Sequence, residues 1–257
     1  MTDLIPTPPI ARIPVAGGGS FPVRRIYCVG RNYADHAREM GATPAAAHDR
    51  GRPMFFSKPA DAIVTGNHSD VPYPSATDNL HHEVELVVAI GADAPAGVLP
   101  VERAMDLVLA YGVGLDLTRR DLQAAAKANG HPWDIAKGFD HSAPVSDLVR
   151  ASAIGELGAR AITLHVNGQL RQSSTLDTMI WNVAEILHEL SQLFALKAGD
   201  LVMMGTPAGV AALQPGDHFD ARIDGIGQRC GTIVPPLAGQ ARPHGPCPPI
   251  QGVAPWA

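Results

Sequence analysis

The run His81-His82-Glu83-Val84-Glu85-Leu86-Val87-Val88-Ala89-Ile90 decides how this chain is read. Its apolar end has the length and composition of a buried strand. Side chains alternate faces along a strand, so Glu83 and Glu85 point one way while Val84, Leu86, Val88 and Ile90 point the other. Two carboxylates side by side next to a core repel each other and lose hydration. A hard divalent cation offsets both costs, because Mg²⁺ and Ca²⁺ prefer carboxylate oxygens and water. A third acid, Asp116, stands in a second strand-like apolar run, Tyr111-Gly112-Val113-Gly114-Leu115-Asp116-Leu117-Thr118. The competing arrangement is an exposed strand edge whose acids meet solvent, and an acid lodged in the second apolar run counts against it.

Working outward, the chain has the bulk properties of an ordinary enzyme. Its 257 residues allow one large or two modest domains with a sizeable core. With 46% apolar and 18% charged residues it is not a disordered chain. A net charge of -5, without a long basic run, argues against nucleic acid as a partner. The N-terminus carries no signal-peptide pattern, and Asp or Gly interrupts every apolar stretch well short of a membrane span, so a cytoplasmic protein without membrane contact is expected. Cys28, Cys230 and Cys247 are odd in number and widely spaced, which suits a reducing compartment better than a disulfide framework or a zinc site.

Proline and glycine divide the chain. Residues 1–20, with Pro6, Pro8, Pro9, Pro14 and Gly17-Gly18-Gly19, read as a loose arm. Residues 21–70 read as a small N-terminal region containing a short helix at 35–40, 71–235 as a catalytic domain, and 236–257 as a Pro-rich disordered tail. Strands are expected near 24–29, 54–56, 162–166, 200–204, 219–223 and 232–234, with a hairpin turn at Asn167-Gly168. Helical spacing appears at 181–194, and 102–108 is a further helical candidate. Strands dominate, so the fold class is α+β, mainly β, with a β-roll or barrel-like core. No Walker A loop, nucleophile elbow, His-Glu-x-x-His or complete dinucleotide fingerprint occurs.

Acid–base chemistry has a candidate in Gly30-Arg31-Asn32-Tyr33-Ala34-Asp35-His36-Ala37-Arg38-Glu39-Met40-Gly41. On a helix His36 and Glu39 share one face, and a carboxylate beside an imidazole orients the ring as a water-activating base requires. A solvated surface helix with an incidental His–Glu contact is the alternative. Arg120 and Gln123 lie one helical turn apart just after Asp116, in position to bind a carboxylate near a metal. Lys137 lies in a largely apolar segment where a lone ammonium needs an anion.

These segments, together with Phe56-Ser57-Lys58-Pro59, Ala136-Lys137-Gly138-Phe139 and Gly205-Thr206-Pro207-Ala208-Gly209-Val210, occur in an order that resembles the fumarylacetoacetate hydrolase family, nearest to its short bacterial acylpyruvases such as the fumarylpyruvate hydrolases. The resemblance runs from about residue 24 to about residue 231. It implies a mixed β-roll, the family's C-terminal-like fold, and usually a homodimer. It implies Mg²⁺ or Mn²⁺ held by Glu83, Glu85 and Asp116. It implies His36 and Glu39 as the water-activating pair on a short lid helix. Lys137, assigned a catalytic role, joins Arg31, Lys58, Arg120, Gln123 and Thr206 around the substrate. Two departures are visible: Ala211-Ala212 stands where a further glycine and proline are common, and the Pro-rich tail is atypical.

The implied substrate is a small 2,4-dioxo acid. Water activated by His36 would attack the distal ketone, and carbon–carbon cleavage would release the enolate of pyruvate, as in aromatic catabolism. Oxaloacetate decarboxylation or muconate-type isomerisation in the same site, and a non-catalytic dicarboxylate-binding protein, are the alternatives. A distal carboxylate, as in fumarylpyruvate, needs a cation away from the metal. The loop holding His48, Arg50 and Arg52 is a candidate to supply it.

Overall fold

The computed structural model describes residues 4–41 and 50–237. His48 and the tail beyond Leu237 lie outside the described residues. The largest sheet is mixed and runs Met54–Lys58, Arg25–Gly30, Asp200–Met203, Val84–Ile90, Val108–Leu115, Ala143–Val145, Ile63–Thr65, with Val149–Arg150 also pairing Val108–Leu115. A second sheet runs Gln169–Thr175, Ala161–Val166, His218–Ile223, Gly227–Val234, Val71–Pro72. A small third sheet joins Thr118–Arg119, Leu80–His81 and Ala212–Leu213. The expected mainly β, α+β roll is what forms.

The acid-bearing strand occupies the middle of the large sheet, between Asp200–Met203 and Val108–Leu115. The exposed-edge arrangement is therefore excluded. Every residue of Val84–Ile90 is buried. The alternation expected from the sequence appears as two cores. Val84, Leu86, Val88 and Ile90 join the larger one, against the second sheet and the helix Val183–Ser191. Val87 and Ala89 face the smaller one with Ile26, Val145, Leu201 and Met203.

The loose arm expected at 1–20 is corrected from residue 12 onward. Arg12–Pro14 and Ser20–Pro22 form an antiparallel hairpin, turned by three glycines at positive φ. Ile13, Val15, Phe21 and Val23 complete the smaller core. The signal was an apolar alternation short enough to be masked by the surrounding proline and glycine. The expected border at residue 70 cuts through the large sheet. Arg25–Gly30 pairs in parallel with Asp200–Met203, and Ile63–Thr65 with Ala143–Val145.

Several local expectations form nearly as read. Asn167 and Gly168, both at positive φ, turn the hairpin between Ala161–Val166 and Gln169–Thr175. The helix expected over 181–194 is shorter, Val183–Ser191, because Asn182 caps it in a reciprocal capping box with Glu185. Residues 102–108 divide into a short helix, a 3₁₀ turn and the start of a strand. Ala212, in the Ala211-Ala212 departure, begins a short strand, Ala212–Leu213, paired with Leu80–His81.

Candidate active site

The two acid-bearing segments are zipped at their ends. Val84 pairs with Leu115, Glu85 faces Gly114, and the Asp116 amide donates to the Glu83 carbonyl at 2.9 Å. This register places one ligand atom from each of Glu83, Glu85 and Asp116 within 4.8 Å of the others, all buried.

Cations surround this cluster unevenly. Lys137 Nζ donates to Glu83 Oε2 at 2.8 Å and to Asp116 Oδ2 at 2.7 Å, and Arg120 donates to Glu83 Oε1. Burial alone would push the Glu83 carboxyl up, but Lys137 and Arg120 outweigh it and hold the group well below the usual carboxylate range. Burial alone would lower the Lys137 ammonium, but Asp116 and Glu83 hold it above its ordinary value. Glu85 accepts the Gly205 amide at 2.7 Å. Burial, with the charges of Asp116 and Glu83, pushes its carboxyl well above the usual range. Asp116 Oδ1 lies 2.8 Å from Lys58 Nζ without hydrogen-bond alignment and is a buried acceptor with no hydrogen bond. An under-compensated Glu85 and an unsatisfied Asp116 oxygen in an all-oxygen cluster fit a hard divalent cation.

His36 and Glu39 meet on one helix face. On the helix Ala34–Glu39, His36 Nδ1 lies 3.2 Å from Glu39 Oε2. The Glu39 carboxylate also accepts the Gly209 amide, at 3.1 and 3.2 Å to its two oxygens. Donation from Nδ1 to Glu39 leaves Nε2 as the basic nitrogen. His36 is 6% exposed and lines a cavity together with Glu83, Glu85, Arg120, Lys137 and Thr206. Gln123 and Arg31 line it too.

Lys58 is different. Its ammonium is fully buried and donates to the carbonyls of Leu117 and Lys137. It does not line the cavity and stands beside Asp116. Arg50 is also elsewhere: it pairs with Glu185 at 2.8 Å, donates to the Ile180 carbonyl at 2.7 Å and covers the Trp181 ring. Arg52 is exposed.

Three positions that brace or line the site escaped sequence reasoning. Gln172 accepts the Val84 amide at 3.1 Å and contacts His82, while its amide group donates to Thr206 Oγ1 at 2.8 Å and to the Pro207 carbonyl at 2.7 Å. It thus locks the acid strand to the Gly205-Thr206-Pro207 loop. Its strand reads as exposed and polar, so nothing in the pattern marked it. Asn32 is fully buried and bonds both amide and carbonyl of Trp181 and the carbonyl of Met204. Lys127 lines the cavity one helical turn beyond Gln123 on the same stripe as Arg120, a spacing visible in the sequence.

A family model for the fumarylacetoacetate hydrolase C-terminal domain matches residues 25–234. The chain belongs to the fumarylacetoacetate hydrolase family. Among solved structures it is similar to the fumarylpyruvate hydrolase of Pseudomonas aeruginosa in complex with Mn²⁺ and pyruvate, with a TM-score of 0.84 and 45% identity over 91% of this chain and 99% of that one. Among curated proteins it is 41% identical over 203 residues to the mitochondrial oxaloacetate tautomerase FAHD1 of Rattus norvegicus, covering 79% of this chain and 88% of that protein. It is 39% identical over 206 residues to the oxaloacetate tautomerase YcgM of Escherichia coli, covering 80% and 90%. Among the described residues no helix is long and apolar enough to cross a membrane.

Proposed function

We propose that this chain is a metal-dependent hydrolase of 2,4-dioxo acids that cleaves fumarylpyruvate to fumarate and pyruvate. The observation that carries the reading is His36, paired with Glu39, lining one cavity with Glu83 and Glu85 of the acid triad. Mg²⁺ or Mn²⁺ held by Glu83, Glu85 and Asp116 would supply Lewis acidity toward the carboxylate and 2-oxo oxygens. Near the triad's three negative charges stand Lys58, Lys137 and Arg120, so a divalent ion leaves the site net positive and suited to an anionic substrate.

His36 Nε2 takes a proton from water, and Glu39 holds the ring in orientation and stabilises the imidazolium. The hydroxide adds to the distal ketone. The bond between that carbon and the methylene carbon breaks, and its electron pair goes to pyruvate as the enolate. The proton held by His36 returns to the methylene carbon. Arg120 and Gln123 hold the substrate carboxylate, and Lys137 faces the charge that develops on the 2-oxo oxygen. Lys58 positions Asp116. A homodimer, a cytoplasmic location and a role in aromatic catabolism complete the proposal.

Similarity to oxaloacetate tautomerases favours a second reading, in which the same residues only move protons between keto and enol forms. With Mg²⁺ or Mn²⁺ the protein is expected to release pyruvate from fumarylpyruvate. His36→Ala should lower that rate by about 10²–10⁴-fold while Mn²⁺ binding stays intact. Oxaloacetate tautomerisation with no pyruvate released from any 2,4-dioxo acid would replace hydrolysis with the second reading.

A further inference from the structure

The helix Arg120–Asn129 presents Arg120, Gln123 and Lys127 along one stripe of the cavity wall. Arg120 donates to Glu83 and to Gln123. Lys127 has no carboxylate partner among the described residues; its ammonium lies 5.2 Å from the centre of the Trp133 ring. Arg31, held at φ 60, lines the same cavity and also forms no ion pair among the described residues. Burial and then the charges of Arg120 and Arg31 push the Lys127 ammonium below its ordinary value. Glu83, the carboxylate that acts on it, is already held by Lys137 and Arg120. Two cations that line one cavity and have no ion-pair partner among the described residues are an arrangement that a ligand anion relieves.

Dimensions agree. Seven residues of helix separate Lys127 from Arg120, about 10 Å along the axis at about 1.5 Å per residue. Six carbon–carbon bonds of about 1.5 Å separate the two carboxylate carbons of fumarylpyruvate, an extended span of about 7–8 Å. A flexible lysine stem covers the difference. Arg50 is occupied by Glu185 and Trp181 and leaves this role open.

We infer that Lys127, assisted by Arg31, binds the second carboxylate of a dicarboxylic 2,4-dioxo acid whose first carboxylate lies at Arg120 and Gln123. This deepens the proposed hydrolysis and rests on it. Lys127 is a specificity-determining residue at the acyl end, with its ammonium over the Trp133 ring.

The test compares kcat/KM for fumarylpyruvate and for acetylpyruvate, which lacks the distal carboxylate. Lys127→Ala should lower the fumarylpyruvate-to-acetylpyruvate ratio roughly tenfold or more, with the change in KM, and Lys127→Arg should restore most of it. Calorimetric binding of both acids in the His36→Ala background reads the same discrimination without turnover. Equal losses on the two acids, or no loss on either, would overturn the subsite. If the wild type releases pyruvate from neither acid, the hydrolase reading fails, and the calorimetric ratio still decides whether Lys127 receives a second carboxylate.

Discussion

At the residue scale the site is a problem of charge placement. Glu83 and Asp116 have ammonium partners and Arg120 covers Glu83, but Glu85 has the Gly205 amide and two like charges for neighbours. Glu85 is therefore the acid whose presence a structural role explains least. Glu85→Gln keeps the side chain's shape and removes the anionic oxygen a metal requires. Its expected result is loss of Mn²⁺ binding, read by electron paramagnetic resonance, with metal-free unfolding stability within about 1 kcal/mol of wild type. Undiminished Mn²⁺ binding would remove Glu85 from the ligand set. The triad was legible in the sequence because strand alternation forces Glu83 and Glu85 to one face, and because an acid inside an apolar run needs a reason. Gln172 was not legible. Its neighbours Arg171 and Ser173 are exposed, and only a register shift against Leu164 and His165 accompanies its turn inward.

At the element scale the six-residue helix Ala34–Glu39 is too short to hold itself, since helix nucleation is costly and one turn recovers little. Its position comes from outside. Asn32 grips Trp181 and Met204 at its start, and Gly209 holds Glu39 at its end. Gly209 is needed there: φ is +99°, and a Cβ would meet the Arg171 carbonyl oxygen at 2.0 Å. The sequence showed the helix and its dyad but not these grips, because they join positions more than a hundred residues apart. Arg50 reaches the same Ile180-Trp181 pair that Asn32 holds. The sequence offered it as a receptor for a substrate carboxylate; the structure makes it an anchor. Arg50→Ala is thus expected to lower thermal stability by up to about 1 kcal/mol, as a half-exposed ion pair does. It should change turnover of fumarylpyruvate and acetylpyruvate by the same factor. A selective loss on fumarylpyruvate would return Arg50 to the specificity argument and weaken that of Lys127.

At the scale of the whole molecule, one sheet face carries both the chemistry and the smaller core. Glu85, Val87 and Ala89 alternate onto the same side of their strand, and that side continues into the residues packed by the N-terminal hairpin. The hairpin is tied to the sheet by the Leu148 amide donating to Pro14 at 2.9 Å and the Ala16 amide to Leu148 at 2.8 Å. Ile13 is fully buried and Phe21 is 3% exposed. At about 1.5–3 kcal/mol per buried side chain, Ile13, Val15, Phe21 and Val23 together contribute an amount comparable with the roughly 5–15 kcal/mol that keeps a domain folded. The opposite end of the chain has a different composition: beyond Leu237 come Pro243, Pro246, Pro248, Pro249 and Pro255 with little apolar periodicity, which gives no pattern for a packed element. Two truncations measure this asymmetry. Removing residues 1–22 should abolish the cooperative thermal transition and Mn²⁺ binding together, because the sheet face behind the acids opens to water. Removing residues 238–257 should leave the transition within a few degrees and pyruvate release close to the full-length rate. A shortened N-terminus that still melts cooperatively would show that the smaller core closes without the hairpin, and a C-terminal truncation that loses many degrees would show that the tail docks on the folded domain.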